Sequence, residues 1–94
     1  MATMGLLTVD LQIYESASLK AKRKIVQSIV TRLRQRFNVS VAELDFQDKW
    51  QICRIGVGAV ANDGRFLDSQ LRKALDAIEG MGLAVVTDFT IEIV

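Results

Sequence analysis

Residues 39–61, VSVAELDFQDKWQICRIGVGAVA, hold two β-rich runs around a short polar break. Val39 to Phe46 and Trp50 to Ala61 are rich in β-branched and aromatic residues, and Gln47-Asp48-Lys49 lies between them. Two such runs joined by so few polar residues predict a β-hairpin. The flanks then decide the fold, because each side shows a helical period first and a strand period beyond it. Upstream, Leu19, Val26, Ile29, Val30, Leu33 and Phe37 fall on one face at about 100° per residue, which predicts a helix from Leu19 to Phe37. Ser18 is its expected N-cap, and Asn38, which tolerates the left-handed conformation, its expected stop. Downstream, Asn62-Asp63-Gly64 breaks the strand and caps a second helix with the stripe Phe66, Leu67, Leu71, Leu75 and Ile78, ended by Gly80 and Gly82. At the outside, Leu7, Val9, Leu11 and Ile13 alternate with polar neighbours, as do Phe89, Ile91 and Ile93, and a period of two is that of a half-buried strand.

Strand, helix, hairpin, helix, strand is the split βαβ order. It predicts an α+β, ferredoxin-like βαββαβ fold: a four-stranded antiparallel sheet with two helices on one face, residues 1–94 forming a single domain. Strands one and three are then central. Cys53, Ile55, Val57 and Ala59 face the helices, while Ile52, Arg54, Gly56 and Gly58 look outward beside Thr8, Asp10 and Gln12.

Half of the 94 residues are hydrophobic, enough for one core, and proline is absent, so nothing forces a break inside an element. The single Cys53 cannot form an internal disulfide, which fits a reducing compartment and a cytoplasmic protein. Residues 1–5 carry no positive charge ahead of the apolar run, so no signal peptide is read, and no apolar stretch approaches the roughly 20 residues that span a bilayer.

The net charge of +1 conceals an asymmetry. Between Ser16 and Ala42 stand Lys20, Lys22, Arg23, Lys24, Arg32, Arg34 and Arg36, with no Asp or Glu, while the rest of the chain is acidic. On a helical wheel Lys20, Arg23, Lys24 and Arg34 flank the apolar stripe on one side, with Lys22, Arg32 and Arg36 on the other. Lys20/Lys24 and Arg32/Arg36 are like-charge i, i+4 pairs, each destabilising by about 0.2–0.5 kcal/mol. Cations in the first turns also oppose the helix dipole. Phosphates would offset both effects, through salt-sensitive contacts independent of base sequence. In the competing reading, the acids Asp68, Asp76 and Glu79 of the second helix, or acids of another subunit, neutralise these bases.

The sequence offers little for catalysis. Histidine is absent, which removes the commonest general base and metal ligand. Cys53 sits mid-strand facing the core and reads as an inert packed thiol. Glu43 and Asp45, two apart, are expected on one strand face, yet no third ligand has a defined spacing, so they read as solvated hairpin charges rather than a metal site. Gly56-Val57-Gly58 lacks the loop and helix start of a phosphate-binding fingerprint. Nothing implies a cofactor, an enzyme or sequence-specific DNA recognition. The open sheet face lacks the aromatics on which an RNA recognition motif stacks bases. Phe46 and Trp50 are expected to pack over Phe37, or else, with Ile52 and Arg54, to anchor a partner. The open face, with Leu6, Ile52 and Val60 beside small Gly56 and Gly58, suits association with a second copy.

Four segments in order, Ser18-Leu19-Lys20-Ala21-Lys22-Arg23-Lys24, Phe37-Asn38-Val39-Ser40-Val41-Ala42-Glu43, Gln47-Asp48-Lys49-Trp50-Gln51 and Val60-Ala61-Asn62-Asp63, resemble the YlxP-like family of small bacterial proteins. The resemblance covers essentially the whole chain. It implies a ferredoxin-like fold without assigned catalytic residues, and, from genes that neighbour translation initiation and ribosome maturation factors, a role near the ribosome. The sequence departs from the family at Ala21, where an acid is common, at Phe46, where a His is common, and at Ala61, where a Ser is common. Without the acid the helix is more basic, which favours anion binding; without the His a catalytic or metal role built on the hairpin is harder to sustain. The expectation is a non-enzymatic, self-associating bacterial domain that contacts RNA or a ribosomal subunit through Lys20, Lys22, Arg23, Lys24 and Arg34. The alternative is a homodimeric interaction or small-ligand module that uses the open sheet face.

Overall fold

The structure, a computed structural model, describes residues 1–14 and 16–94. Its elements run β1 (Thr3–Gln12), α1 (Leu19–Arg36), β2 (Ser40–Asp45), β3 (Ile52–Ala61), α2 (Gly64–Gly80) and β4 (Val85–Ile93). The strands form one antiparallel sheet in the order β2-β3-β1-β4, so β1 and β3 are central, as the split βαβ order requires. The register pairs Leu7 with Val57, Val9 with Ile55 and Leu11 with Cys53, which places the apolar sets of both central strands on one face. There they meet Val26, Ile29, Val30 and Leu33 of α1 and Leu71, Ala74 and Ile78 of α2 in a single core. A Leu→Ala change at such a fully buried site removes about 2–5 kcal/mol.

Local signals set the helix ends, with two differences from the sequence reading. Ser18 caps α1 through its hydroxyl, which accepts from the Ala21 N–H at 3.0 Å, and Asp63 caps α2 by accepting from Arg65 N–H at 2.9 Å. Gly82 ends α2 with φ +68°, the left-handed conformation that glycine adopts without penalty. α1, however, ends in extended backbone at Phe37, and Asn38 is not left-handed. Phe66 leaves the core stripe of α2: it lies more than 90° around the helix from Leu67 and Leu71 and is exposed.

The hairpin departs further. Glu43 pairs with Ile55 but Asp45 with Arg54, so Leu44 is an extra residue on β2. A bulge of this kind reverses the alternation of faces. Glu43 therefore points toward the helices while Asp45 lies on the open face, and the pair does not share a face as i, i+2 spacing alone implies. The tip also holds Phe46 at φ +65°, a conformation that is strained for a bulky side chain by about 1–3 kcal/mol.

Among the described residues no helix is long and apolar enough to cross a membrane, and no three His, Cys, Asp or Glu gather as metal ligands.

Candidate functional site

Lys22 changes the composition of the basic surface. Its side chain is 1% exposed, and its Nζ donates to the carbonyl of Phe46 and pairs with Glu43 Oε2 at 3.1 Å. The unusual backbone at Phe46 presents that carbonyl, and Glu43 points inward because it keeps the alternation of Val41, two residues earlier, ahead of the bulge at Leu44. The three features form one device: a buried ammonium held by two acceptors from the hairpin, one of them charged. Glu43 Oε2 also accepts the Cys53 thiol at 3.4 Å. Burial, then the Glu43 charge, pushes that thiol up to about 12, so it stays protonated and unreactive in the physiological range. Lys22 is thus a core strut and not a phosphate contact. Its place was legible, since at 100° per residue Lys22 stands about 20° from both Ile29 and Leu33, inside the stripe and not on its flank.

The same contact corrects the expected packing of the hairpin tip. Lys22 and Phe37 lie about 22 Å apart along the helix at 1.5 Å per residue. Phe46, held against Lys22, therefore does not reach Phe37. Its ring instead lies under the Arg54 guanidinium, 5.1 Å from the ring centre, and Trp50 is 54% exposed. Arg54 is further held by Asp10, through bonds of 2.7 and 3.1 Å, and by Asp45 at 3.7 Å. The hydrogen bond from Arg54 keeps the Asp10 carboxyl below its ordinary range. Arg54 is therefore engaged within the open face. Ile52 beside it is half-buried.

The other cations of α1 reach the surface. Lys20, Arg23 and Lys24, with Gln27, line one shallow depression, and Arg23, Gln27 and Arg34 line a second against the edge strand β2. Arg34 donates to the Val41 carbonyl at 2.8 Å, which fixes its guanidinium near that edge. Among the described residues Lys20, Arg23, Lys24, Arg32, Arg34 and Arg36 have no carboxylate within 4.0 Å. The acids of α2 do not supply one: Asp68 is taken by Arg72 of its own helix at 2.9 Å, and neither Asp76 nor Glu79 forms an ion pair. Among the described residues, intramolecular neutralisation of the α1 cations thus applies to Lys22 alone.

Residues 4–91 match the family described as a protein of unknown function, DUF503. The chain belongs to the DUF503 family. Over 76 residues it is 34% identical to the uncharacterized protein YlxP of Bacillus subtilis (strain 168), which covers 81% of this chain and 83% of that protein. That agrees with the YlxP-like resemblance read from the four segments. Two solved structures share the fold at low identity. A structural genomics protein, YJCS, superposes with a TM-score of 0.58 at 10% identity over 95% of this chain and 96% of its own. The de novo designed protein Foldit4 gives 0.52 at 13% identity over 100% and 94%. At these identities both speak for the βαββαβ architecture alone.

Proposed function

We propose that this DUF503 domain is a non-enzymatic RNA-binding module, whose site on RNA or on a ribosomal subunit is gripped at its phosphates by Lys20, Arg23, Lys24 and Arg34. One observation supports this above all: a helix without a single acid presents exposed cations that have no carboxylate partner among the described residues. Such an arrangement destabilises the isolated helix through like-charge i, i+4 pairs and the dipole, and a polyanion relieves both. The contacts would be to backbone, without base readout, because the central strands β1 and β3 put Thr8, Asp10, Gln12, Arg54 and Gly56 on the open face and hold no aromatic residue, unlike an RNA recognition motif.

The test is a salt titration of binding to structured RNA and to ribosomal subunits. Four phosphate contacts give a log–log slope of about −2.8 to −3.6, so affinity should fall about 50- to 150-fold between 50 and 200 mM salt. Lys20→Glu/Lys24→Glu should abolish binding while retaining the fold. Salt-independent binding, or equal binding by that variant, refutes the assignment.

A second reading has its own observation. Met4, Leu6, Leu44 and Val60 lie on the open face, with Met4 60% and Val60 65% exposed. We infer from that cluster a surface for a second copy of the chain, stable at high salt because it is apolar. Sedimentation of wild type against Leu6→Lys/Val60→Lys decides it: a dimer at 0.5 M salt that the substitutions dissociate supports this interface, and a monomer at all concentrations removes it.

A further inference from the structure

Two cations of α1 lie away from the surface just described. Arg32 and Arg36, one turn apart, line a groove of about 900 Å³ between the two helices, and Lys73 of α2 lines it with them. Phe37, Ala77 and Met81 supply apolar lining to the same groove. The volume is in the range of small-molecule sites, and the composition is that of one: an apolar lining with a few charged groups. Arg32, Arg36 and Lys73 form no ion pair and donate no side-chain hydrogen bond among the described residues. Asp76 is the one carboxylate in the lining, and it stays more than 4.0 Å from all three. Arg72, next to Lys73, is by contrast satisfied by Asp68. At Gly80, on the wall, an added Cβ would meet nothing within 4 Å, so the groove is open there to a ligand.

Three cations from two elements, set against one acid, specify an anion that offers several oxygens. Two guanidiniums one turn apart suit the fork-to-fork geometry of phosphate better than a single carboxylate, and the ammonium adds a point charge from the opposite wall. The neighbouring surface is suited to a flat apolar body. Arg36 already lies over the Phe37 ring at 5.4 Å, and nucleic-acid bases stack on both aromatic and guanidinium planes. We propose that the interhelical groove binds a nucleotide, its phosphates held by Arg32, Arg36 and Lys73 and its base seated against Arg36, Phe37 and Met81. The nucleotide is either free or one unit of an RNA strand. The site is separate from the Lys20–Arg34 surface and does not depend on it.

Calorimetric titration of ADP into the full chain at 50 mM salt tests this, with a 5′-phosphorylated oligoribonucleotide as the second probe. Saturable 1:1 binding is expected. Arg32→Ala/Lys73→Ala should weaken it by at least about tenfold, each lost charge-assisted contact being worth about that factor. Asp76→Asn should tighten it, because the groove loses its opposing charge, and this opposite sign is not an effect of unfolding. Lys20→Glu/Lys24→Glu should leave ADP affinity unchanged, so failure here and failure of the RNA surface are read on different variants. If ADP binds as expected, the source is a free nucleotide. If ADP is too weak to saturate but the oligonucleotide shows the groove dependence, the source is the strand. Indifference of both probes to Arg32→Ala/Lys73→Ala, or no gain in Asp76→Asn, overturns the proposal.

Discussion

Replacing Lys22 by Met should unfold this domain more readily yet leave its phosphate affinity intact, which separates the strut from the surface cations. The substitution keeps the length of the side chain and removes the ammonium. It removes one of the two donors to the Phe46 carbonyl, which keeps the Lys49 N–H at 3.0 Å, and leaves Glu43, whose side chain is 21% exposed, without its cationic partner. Losing one member of a fully buried pair typically costs about 3–5 kcal/mol. Because Glu43 keeps a route to water, about 2–3 kcal/mol is expected. For a domain of this size that lowers Tm by about 10–20 °C. Glu43→Gln, which leaves the ammonium buried, should be as damaging. Lys22→Met/Glu43→Leu, which removes both charges, should recover to within about 1 kcal/mol of wild type. Urea unfolding at constant m-value measures all four proteins, and RNA binding of Lys22→Met should stay within about twofold of wild type. A Lys22→Met variant within about 0.5 kcal/mol of wild type refutes the strut. So would a double variant no better than the singles, because the coupling is then absent.

Cys53, buried and pushed up to about 12, should resist thiol reagents at pH 8 in the native state and react only at the rate of opening; fast native labelling contradicts the placement. Because its folded pKa is raised, the stability tied to the protonated thiol is present below the unfolded value of about 8.5 and is lost as pH rises toward 12. Unfolding midpoints of wild type and Cys53→Ala should therefore diverge between those limits. Asp10 behaves oppositely: its depressed pKa makes a contribution that is present above the unfolded carboxyl value of about 3.9 and is lost as pH falls through the folded value. Arg54→Met should flatten that acid limb, and an unchanged pH profile argues against the pair. Gly5→Ala would place a Cβ 2.9 Å from Leu71 Cδ1 in the sealed core and should cost about 1–3 kcal/mol. Gly56→Ala meets only the Leu44 side chain, its Cδ1 at 2.8 Å and Cγ at 3.2 Å, and that side chain is half-exposed and free to swing away, so the loss should stay below about 1 kcal/mol; the reverse order would show that the two faces are misassigned.

The architecture was readable because it rests on local periodicity. Alternation along Leu7–Ile13 and in Ile52–Val60 fixed which residues face the helices, and the register confirms it at Leu7–Val57, Val9–Ile55 and Leu11–Cys53. The helix stripes were legible too, as were the caps at Ser18 and Asp63. Errors arose where one residue outside the repeat shifts everything after it. The bulge at Leu44 separates Glu43 from Asp45, and nothing in the composition of β2 announces it. Lys22, read on the wheel as a flank residue, stands at an angle inside the stripe, and its contacts with Phe46 and Glu43 account for a buried charge there.

The candidate surface divides the same way. That α1 is basic and free of acids is a property of the chain alone, as is the absence of a histidine or a second cysteine. Which bases are available is not. Availability depends on carboxylates that arrive from distant positions: Glu43 reaches Lys22 across 21 residues of chain, whereas Asp68 of α2 turns to Arg72 of its own helix. The groove of Arg32, Arg36 and Lys73 likewise exists only once two helices lie side by side and bring together residues 37 or more positions apart in sequence. Periodicity is a short-range property of the covalent chain, so the sequence by itself determined the βαββαβ order, the faces of the central strands and the basic helix. Pairing and solvation of charge depend on through-space neighbours, so only the tertiary structure decided that Lys22 is a strut, that the remaining cations of α1 lack a carboxylate among the described residues, and where three of the protein's cations converge.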